Sequence, residues 1–329
     1  MKMRKYLVIS GLLIILPVAA VLLFLPIEPL TRGRLADFLH DFLHVPLFGG
    51  FTYLLLRIAG KPDRAGLRAG LLTGVMILLS VLVEMAQPFT GREGGLRDVL
   101  LGAAGCLAAL MLYMSVRGAS ARTRRTSAAA AAVLVLVAGS PALMYSWDHM
   151  AAIRAFPELA SFENKLEMTR WLSKGCEAAI VRDHVTADRH ALKIEVGHTS
   201  EMYPGVFLAE GPRDWSGYDE LVLDVYAPGT WRTPLWVRID DRPDDPPYDD
   251  RGQMAVSLSG GAQEIVLDLR TLAASPGGRP LRLDRIVTLG LFWENQGLRR
   301  LGMFWRLEGH ADTLYLDNIR LRQRVASPR

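Results

Sequence analysis

Cysteine is nearly absent, with two in 329 residues. Cys106 lies inside an apolar run and Cys176 in the polar half of the chain, which argues against a disulfide between them. No Cys/His spacing reads as a zinc site. The chain also lacks a nucleophile elbow, a phosphate-binding glycine loop and a zinc-protease helix motif. The EF-hand pattern, with its internal glycine and closing glutamate, is missing too. There is no internal repeat, and the one low-complexity tract, the alanines at 128–132, belongs to an apolar run. No ready-made catalytic motif is left, and the reading leans away from an enzyme.

What is abundant is apolar sequence. Half of the residues are hydrophobic and the mean hydropathy is +0.18. The excess is confined to the first half. Residues 1–150 carry 15 basic and 8 acidic side chains, net +7, whereas residues 151–329 carry 23 and 26, net −3. Such a split points to two environments. A pI near 9.1 would suit nucleic acid if the basic residues striped a folded domain. Here they flank apolar runs, so no nucleic-acid partner is expected.

Five apolar stretches, about 6–26, 38–56, 67–86, 97–115 and 128–147, approach the roughly 20 residues that cross a bilayer. The first follows Lys2, Arg4 and Lys5 and lacks a small-residue cleavage site, so it reads as a retained anchor. The N-terminus, the second loop (Arg57, Lys61, Arg64, Arg68) and the fourth loop (Arg117, Arg122, Arg124, Arg125) hold the positive charge. These alternate segments share the cytoplasmic side. The polar half is then expected outside, after a helical linker.

This topology gathers polar residues at the outer membrane face. Asp37, His40, Asp41 and His44 begin the second span; Glu84 and Gln87 end the third; Arg92 follows in the loop; Asp98 opens the fourth. Glu84 and Gln87, three apart, share a helix face, as do His40 and His44 at four. A carboxylate beside an imidazole suits acid–base work or a cation, and Arg92 suits a carboxylate or phosphate. Asp98 is equally what a helix N-terminus prefers.

Residues 37–115 resemble the VanZ-like membrane family. The resemblance rests on the Asp/His start of the second span, Glu84-x-x-Gln87, Gly91-Arg92, Asp98-Val99 and the Gly105 region. The family often has Asp-Lys where this chain has Asp41-Phe42, and an Asn where it has Gly102. The family takes its name from a teicoplanin-resistance protein, so the resemblance implies a cell-envelope role, with His44, Glu84, Gln87, Arg92 and Asp98 as the polar site and a membrane lipid or cell-wall precursor as partner.

From Phe162 onward short alternating runs appear: 190–196, 205–208, 221–226, 235–239, 253–258, 264–269, 286–292 and 313–321. Many short strands with Gly, Pro, Asp and Ser between them read as an all-β sandwich. The aromatics Trp231 and Trp293, with Arg238, Asp240 and Glu294, are the candidate ligand-binding residues, while Trp215 reads as core. The run from Asp240 to Arg251 reads as a solvated loop between strands, or as a cation site.

Residues 161–322 resemble galactose-binding-like carbohydrate-binding modules, on the stretch Asp214-Trp-Ser-Gly-Tyr218 before a strand and the ending Leu316-Asp-Asn-Ile319. The resemblance implies a jelly roll, a glycan ligand and a structural calcium ion near Glu163 and Asp317. The expected architecture is a five-span α-helical transmembrane bundle (1–150), a linker (151–160) and an all-β jelly-roll sandwich (161–325), in a bacterial cytoplasmic membrane. The expected function is glycan binding outside the membrane. An enzyme acting on a polyprenyl-linked headgroup and a scaffold for a partner protein are the alternatives.

Overall fold

A computed structural model describes residues 33–59, 66–90, 95–118, 120–186, 188–197, 199, 201–229, 233–243, 246–274, 277–294 and 313–324. The chain divides into two compact units, Met1–Ser146 and Trp147–Arg329.

The first unit is helical. Its helices are α1 (Arg34–Phe42), α2 (His44–Ala59), α3 (Leu67–Ala86), α4 (Leu96–Arg117) and the start of α5 (Ala121–Ala155). Two of the starts have a local cause. Gly66 takes a left-handed φ of 70° just before α3, as glycine does without strain. The Ser120 hydroxyl accepts the Thr123 N–H at 3.0 Å and caps α5. Among the described residues, four segments are long and apolar enough to cross a membrane: Arg34–Ala59, Leu67–Phe89, Leu96–Arg117 and Ala121–Ala155. They match the second to fifth expected spans; the first expected span, 6–26, lies outside the described residues. Leucines such as Leu71, Leu78, Leu82, Leu136 and Leu143 face outward. An apolar outer surface of this extent suits lipid rather than water.

Between these helices the packing is close. Phe48, Met76 and Cys106 form one buried cluster, and Leu56, Ala69 and Tyr113 another. α2 and α4 approach through glycine: a Cβ on Gly105 would sit 2.2 Å from the Val45 carbonyl oxygen, and one on Gly49 2.9 Å from the Gly105 carbonyl oxygen. Small residues at such crossings let backbones touch.

The second unit is a β-sandwich. Its strands are β1 (Glu158–Ala160), β2 (Trp171–Lys174), β3 (Glu177–Val181), β4 (Ala191–Glu195), β5 (Gly205–Leu208), β6 (Glu220–Ala227), β7 (Leu235–Asp240), β8 (Gly252–Val256), β9 (Gly261–Asp268), β10 (Thr288–Phe292) and β11 (Thr313–Arg322). One sheet runs β3-β4-β11-β6-β9 with β1 also on β11; the other runs β2-β5-β10-β7-β8. Every pairing is antiparallel. Because β1 pairs with β11, the sheet begins inside the segment expected as a linker, and α5 extends to Ala155.

The two inner faces form one apolar core, including Trp171, Leu192, Leu223, Val237, Leu291 and Leu316. Period-2 alternation decides which residues enter it. β11 shows the rule and its exception. Leu314 and Leu316 point inward, then Ile319 and Leu321 do. The one-residue change of phase is absorbed by a bulge between Asp317 and Arg320, where Asn318 takes φ 46°. Both cysteines are free, Cys106 being buried and Cys176 partly so.

Candidate functional site

The outward face of the β2-β5-β10-β7-β8 sheet carries an aromatic row. Alternation sends Phe207, Phe292 and Trp236 away from the core, because Val206, Leu291, Val237 and their neighbours go into it. Register then sets Phe292 directly opposite Trp236 on one side and Gly205 on the other. The Phe292 ring lies nearly parallel to Trp236 (6.4 Å, 11°) and to Phe207 (6.1 Å, 15°), with Tyr203 edge-on at 5.7 Å. Gly290 makes room: a Cβ there would come within 2.8 Å of the Phe207 ring. Polar groups border the row. The Lys174 ammonium stands 5.5 Å from the Phe207 ring centre. Thr288 pairs with Asp240 and Gln253 with Arg238 along the same face.

Of the expected ligand residues, Arg238 and Asp240 are on this face. They are mostly buried and bound to each other, Nε to Oδ1 at 2.9 Å and Nη2 to Oδ2 at 2.8 Å. Trp293 is elsewhere. It is 1% exposed and part of the core, so its ring is not offered to a ligand. The strand phase explains this correction: Phe292 is the outward residue and Trp293 the inward one. Glu294 follows at half-buried depth, and Trp231 lies outside the described residues. Trp215 is core as expected, its indole N–H donating to the Pro212 carbonyl at 2.9 Å. Trp236, Phe292, Phe207 and Tyr203 were not named as ligand residues from the sequence, although alternation in Leu235–Asp240 and Thr288–Phe292 marks two of them, Trp236 and Phe292.

The acidic run 240–251 is a loop between β7 and β8 that is exposed at Arg242, Pro243, Pro247, Tyr248 and Asp249 but tied down at two of its carboxylates. Asp241 is buried and takes a two-pronged contact from Arg279 at 2.7 and 2.8 Å, plus the Arg282 N–H at 2.9 Å. Asp250 accepts from both Arg242 and Arg279. The Arg279 guanidinium, with help from the Arg282 N–H and against the cost of desolvation, holds the Asp241 carboxyl down to about 2, from an ordinary 3.8. A carboxyl depressed by folding adds stability that is full above its unfolded value and fades as pH falls through its folded value. The sandwich is therefore expected to lose on the order of 1–2 kcal/mol between pH 4 and pH 2 through this group. Denaturant titrations at pH 5 and 2.5 check it: Asp241→Asn removes that part of the slope.

Glu163 and Asp317, expected as calcium ligands, grip one loop. Glu163 accepts the N–H groups of Arg189 and His190, both at 2.7 Å, and faces the His190 ring at 3.1 Å. Partial desolvation opposes, but these donors outweigh it and hold the Glu163 carboxyl below its ordinary range. Asp317 accepts the Thr186 N–H and hydroxyl, both at 2.9 Å. Calcium takes six to eight oxygen ligands. As arranged, the two carboxylates clasp Thr186, Arg189 and His190 through hydrogen bonds.

The helical unit holds a second polar cluster. His44 at the start of α2, Glu84 in the last turn of α3 and Asp98 in the first turn of α4 are all buried. One ligand-type atom of each lies within 4.8 Å of the others. Gln87, also buried, donates to Glu84 at 3.3 Å, and the Gly95 N–H reaches the other Glu84 oxygen at 3.3 Å. The expected site is thus assembled except for Arg92, which lies outside the described residues. His40 and Asp37 stay at the edge, partly or well exposed. Arg97, which the sequence had not marked, pairs with Asp41 at 3.3 Å and lies over Phe38. At Gly102 any side chain would meet Ser80 Oγ, 2.3 Å from a built Cβ, and Phe48. Ser80 and Phe48 fill the space that an Asn would need.

No model of a known protein family matches the chain, and no curated protein does. The resemblance of residues 37–115 to VanZ-like proteins therefore rests on its residues alone. Among solved structures, the chain is similar to the family 11 carbohydrate-binding module of the cellulosomal cellulase Lic26A-Cel5E of Clostridium thermocellum, at 16% identity and TM-score 0.38, covering 52% of this chain and 96% of that one. It is similar to an exo-beta-agarase at 17% identity and TM-score 0.40, covering 51% of this chain and 25% of that one. A xylan-binding domain of family 22 matches at 8% identity and TM-score 0.30, covering 50% of this chain and 91% of that one.

Proposed function

We propose that the protein is a membrane-anchored glycan-binding protein, and that the outward face of the β2-β5-β10-β7-β8 sheet is the binding surface. The observation that carries this is the aromatic row in which half-buried Phe207 and Trp236 flank Phe292, itself buried between them, on a face that alternation would otherwise make polar. Sugar rings offer apolar C–H faces and hydrogen-bonding rims. Parallel aromatic rings suit the first, and Lys174, Thr288 and Gln253 suit the second. The apolar helices would hold the module at a bacterial cytoplasmic membrane, outside it by the distribution of Lys and Arg. A cell-envelope polysaccharide or exopolysaccharide is then the ligand class. The lipid or cell-wall-precursor role that the VanZ-like resemblance implies belongs to the same reading. The buried His44–Glu84–Asp98 cluster favours a second reading, chemistry on a lipid-linked headgroup, over a plain scaffold.

The test is titration of the full chain in detergent with soluble β-glucans, xylans, galactans and peptidoglycan fragments, with calcium and with EDTA. Saturable binding to at least one is expected. The hydrogen-bonded clasp at Glu163 and Asp317 predicts the same affinity in both conditions. An affinity that needs calcium would restore the ion to that site, and no binding to any member would sink the proposal.

A further inference from the structure

The cluster in the helical unit has the construction of a metal site. His44 Nδ1 lies 2.8 Å from the Asp41 carbonyl oxygen, so the ring N–H donates there. That contact places the proton on Nδ1 and leaves the Nε2 lone pair turned inward, the arrangement of metal-binding histidines. Nε2 is buried, lies 3.1 Å from Glu84 Oε1, and makes no well-directed hydrogen bond. An imidazole nitrogen facing a carboxylate at this distance calls for a positive charge shared between them, a proton or a metal ion. Glu84 is itself aimed, by the Gly95 N–H on one oxygen and the Gln87 amide on the other. Asp98 brings a second carboxylate from a third helix. Three ligands on three helices converging inside a bundle is how such folds hold metals.

The geometry points to a divalent first-row transition ion, zinc or manganese, bound by His44 Nε2, Glu84 and Asp98. An imidazole among the ligands selects against magnesium and calcium, which prefer all-oxygen sites. Ligands about 2.0–2.2 Å from one ion stand at most about 4.4 Å apart, so the present spread within 4.8 Å closes with side-chain adjustment alone. Three protein ligands leave a coordination position open to water or to an oxygen of a bound headgroup. This site is independent of the glycan-binding face.

The experiment uses the full chain in detergent, stripped with EDTA and dialysed against zinc or manganese, with magnesium and calcium as controls. Elemental analysis is expected to show one zinc or manganese ion per chain. Glu84→Gln and Asp98→Asn are each expected to weaken retention at least about 100-fold, more than loss of an outer-shell partner does. Cobalt substitution of the wild type, read by X-ray absorption, is expected to show one imidazole in the shell, and it decides the matter if a variant does not fold. Substoichiometric metal in the wild type, unchanged retention in both variants, or a cobalt shell without imidazole would each overturn the assignment.

Discussion

Asp148→Ala is expected to lower the unfolding free energy of the sandwich unit by about 3–5 kcal/mol. Asp148, in the last two turns of α5, is fully buried, and Arg170 nearly so. The guanidinium meets both carboxylate oxygens, Nε at 2.7 Å and Nη2 at 2.6 Å, and Nη2 also reaches the Asp148 carbonyl at 3.4 Å. A surface pair of this geometry would contribute little. Here both partners have left water, and removing one strands a guanidinium in the interior. For a unit of this size that loss corresponds to a fall of roughly 10 °C in melting temperature. The signal to follow is near-ultraviolet absorption or fluorescence of the core tryptophans Trp171, Trp215 and Trp293. Asp148→Leu with Arg170→Met is expected to recover most of the loss, since a desolvated pair is replaceable by apolar volume. A single variant as stable as wild type would show that the pair contributes nothing.

Gly105→Leu is expected to abolish the folded helical unit, and Gly105→Ala to cost about 3 kcal/mol. The obstacle is backbone: the Val45 carbonyl oxygen, carbon and Cα all lie within 2.9 Å of a Cβ at position 105. Side chains can rotate away, whereas a helix must translate, and α2 also carries His44 and Phe48. Gly74→Ala is the control, because nothing lies within 4 Å of its built Cβ. Monodispersity in detergent and helical melting would separate the two. Equal behaviour of Gly105→Ala and Gly74→Ala would mean that α2 and α4 do not meet as described.

Much of this architecture could be read along the chain because its signals are local. Length and apolarity marked α2 to α5, and the loop charges put His44, Glu84 and Asp98 at one end of the bundle, where they do converge. Eight of the strands were visible as alternating runs. β2 and β3 were not, because Trp171–Lys174 and Glu177–Val181 are short and each borrows its identity from a distant partner, β5 and β4. β1 has three residues and exists only through β11. The binding face was half-legible. Choosing Trp293 over Phe292 followed residue type, whereas the pleat assigns faces by phase. The anchoring of the acidic run was missed because Asp241's partner Arg279 is 38 residues away, a pairing that no local pattern announces.

The most direct test of the binding face is to compare sheets. Trp236→Ala with Phe207→Ala strips the aromatic row, while Tyr226→Ala removes a ring from the other sheet, where it stacks under His184 at 3.8 Å. Loss of a central aromatic contact is worth about 2 kcal/mol or more, about 30-fold in affinity. Calorimetric titration of the full chain with the polysaccharide that it binds best should show the double variant weakened at least 30-fold and Tyr226→Ala unchanged. Equal affinity in the double variant and the wild type would contradict the account.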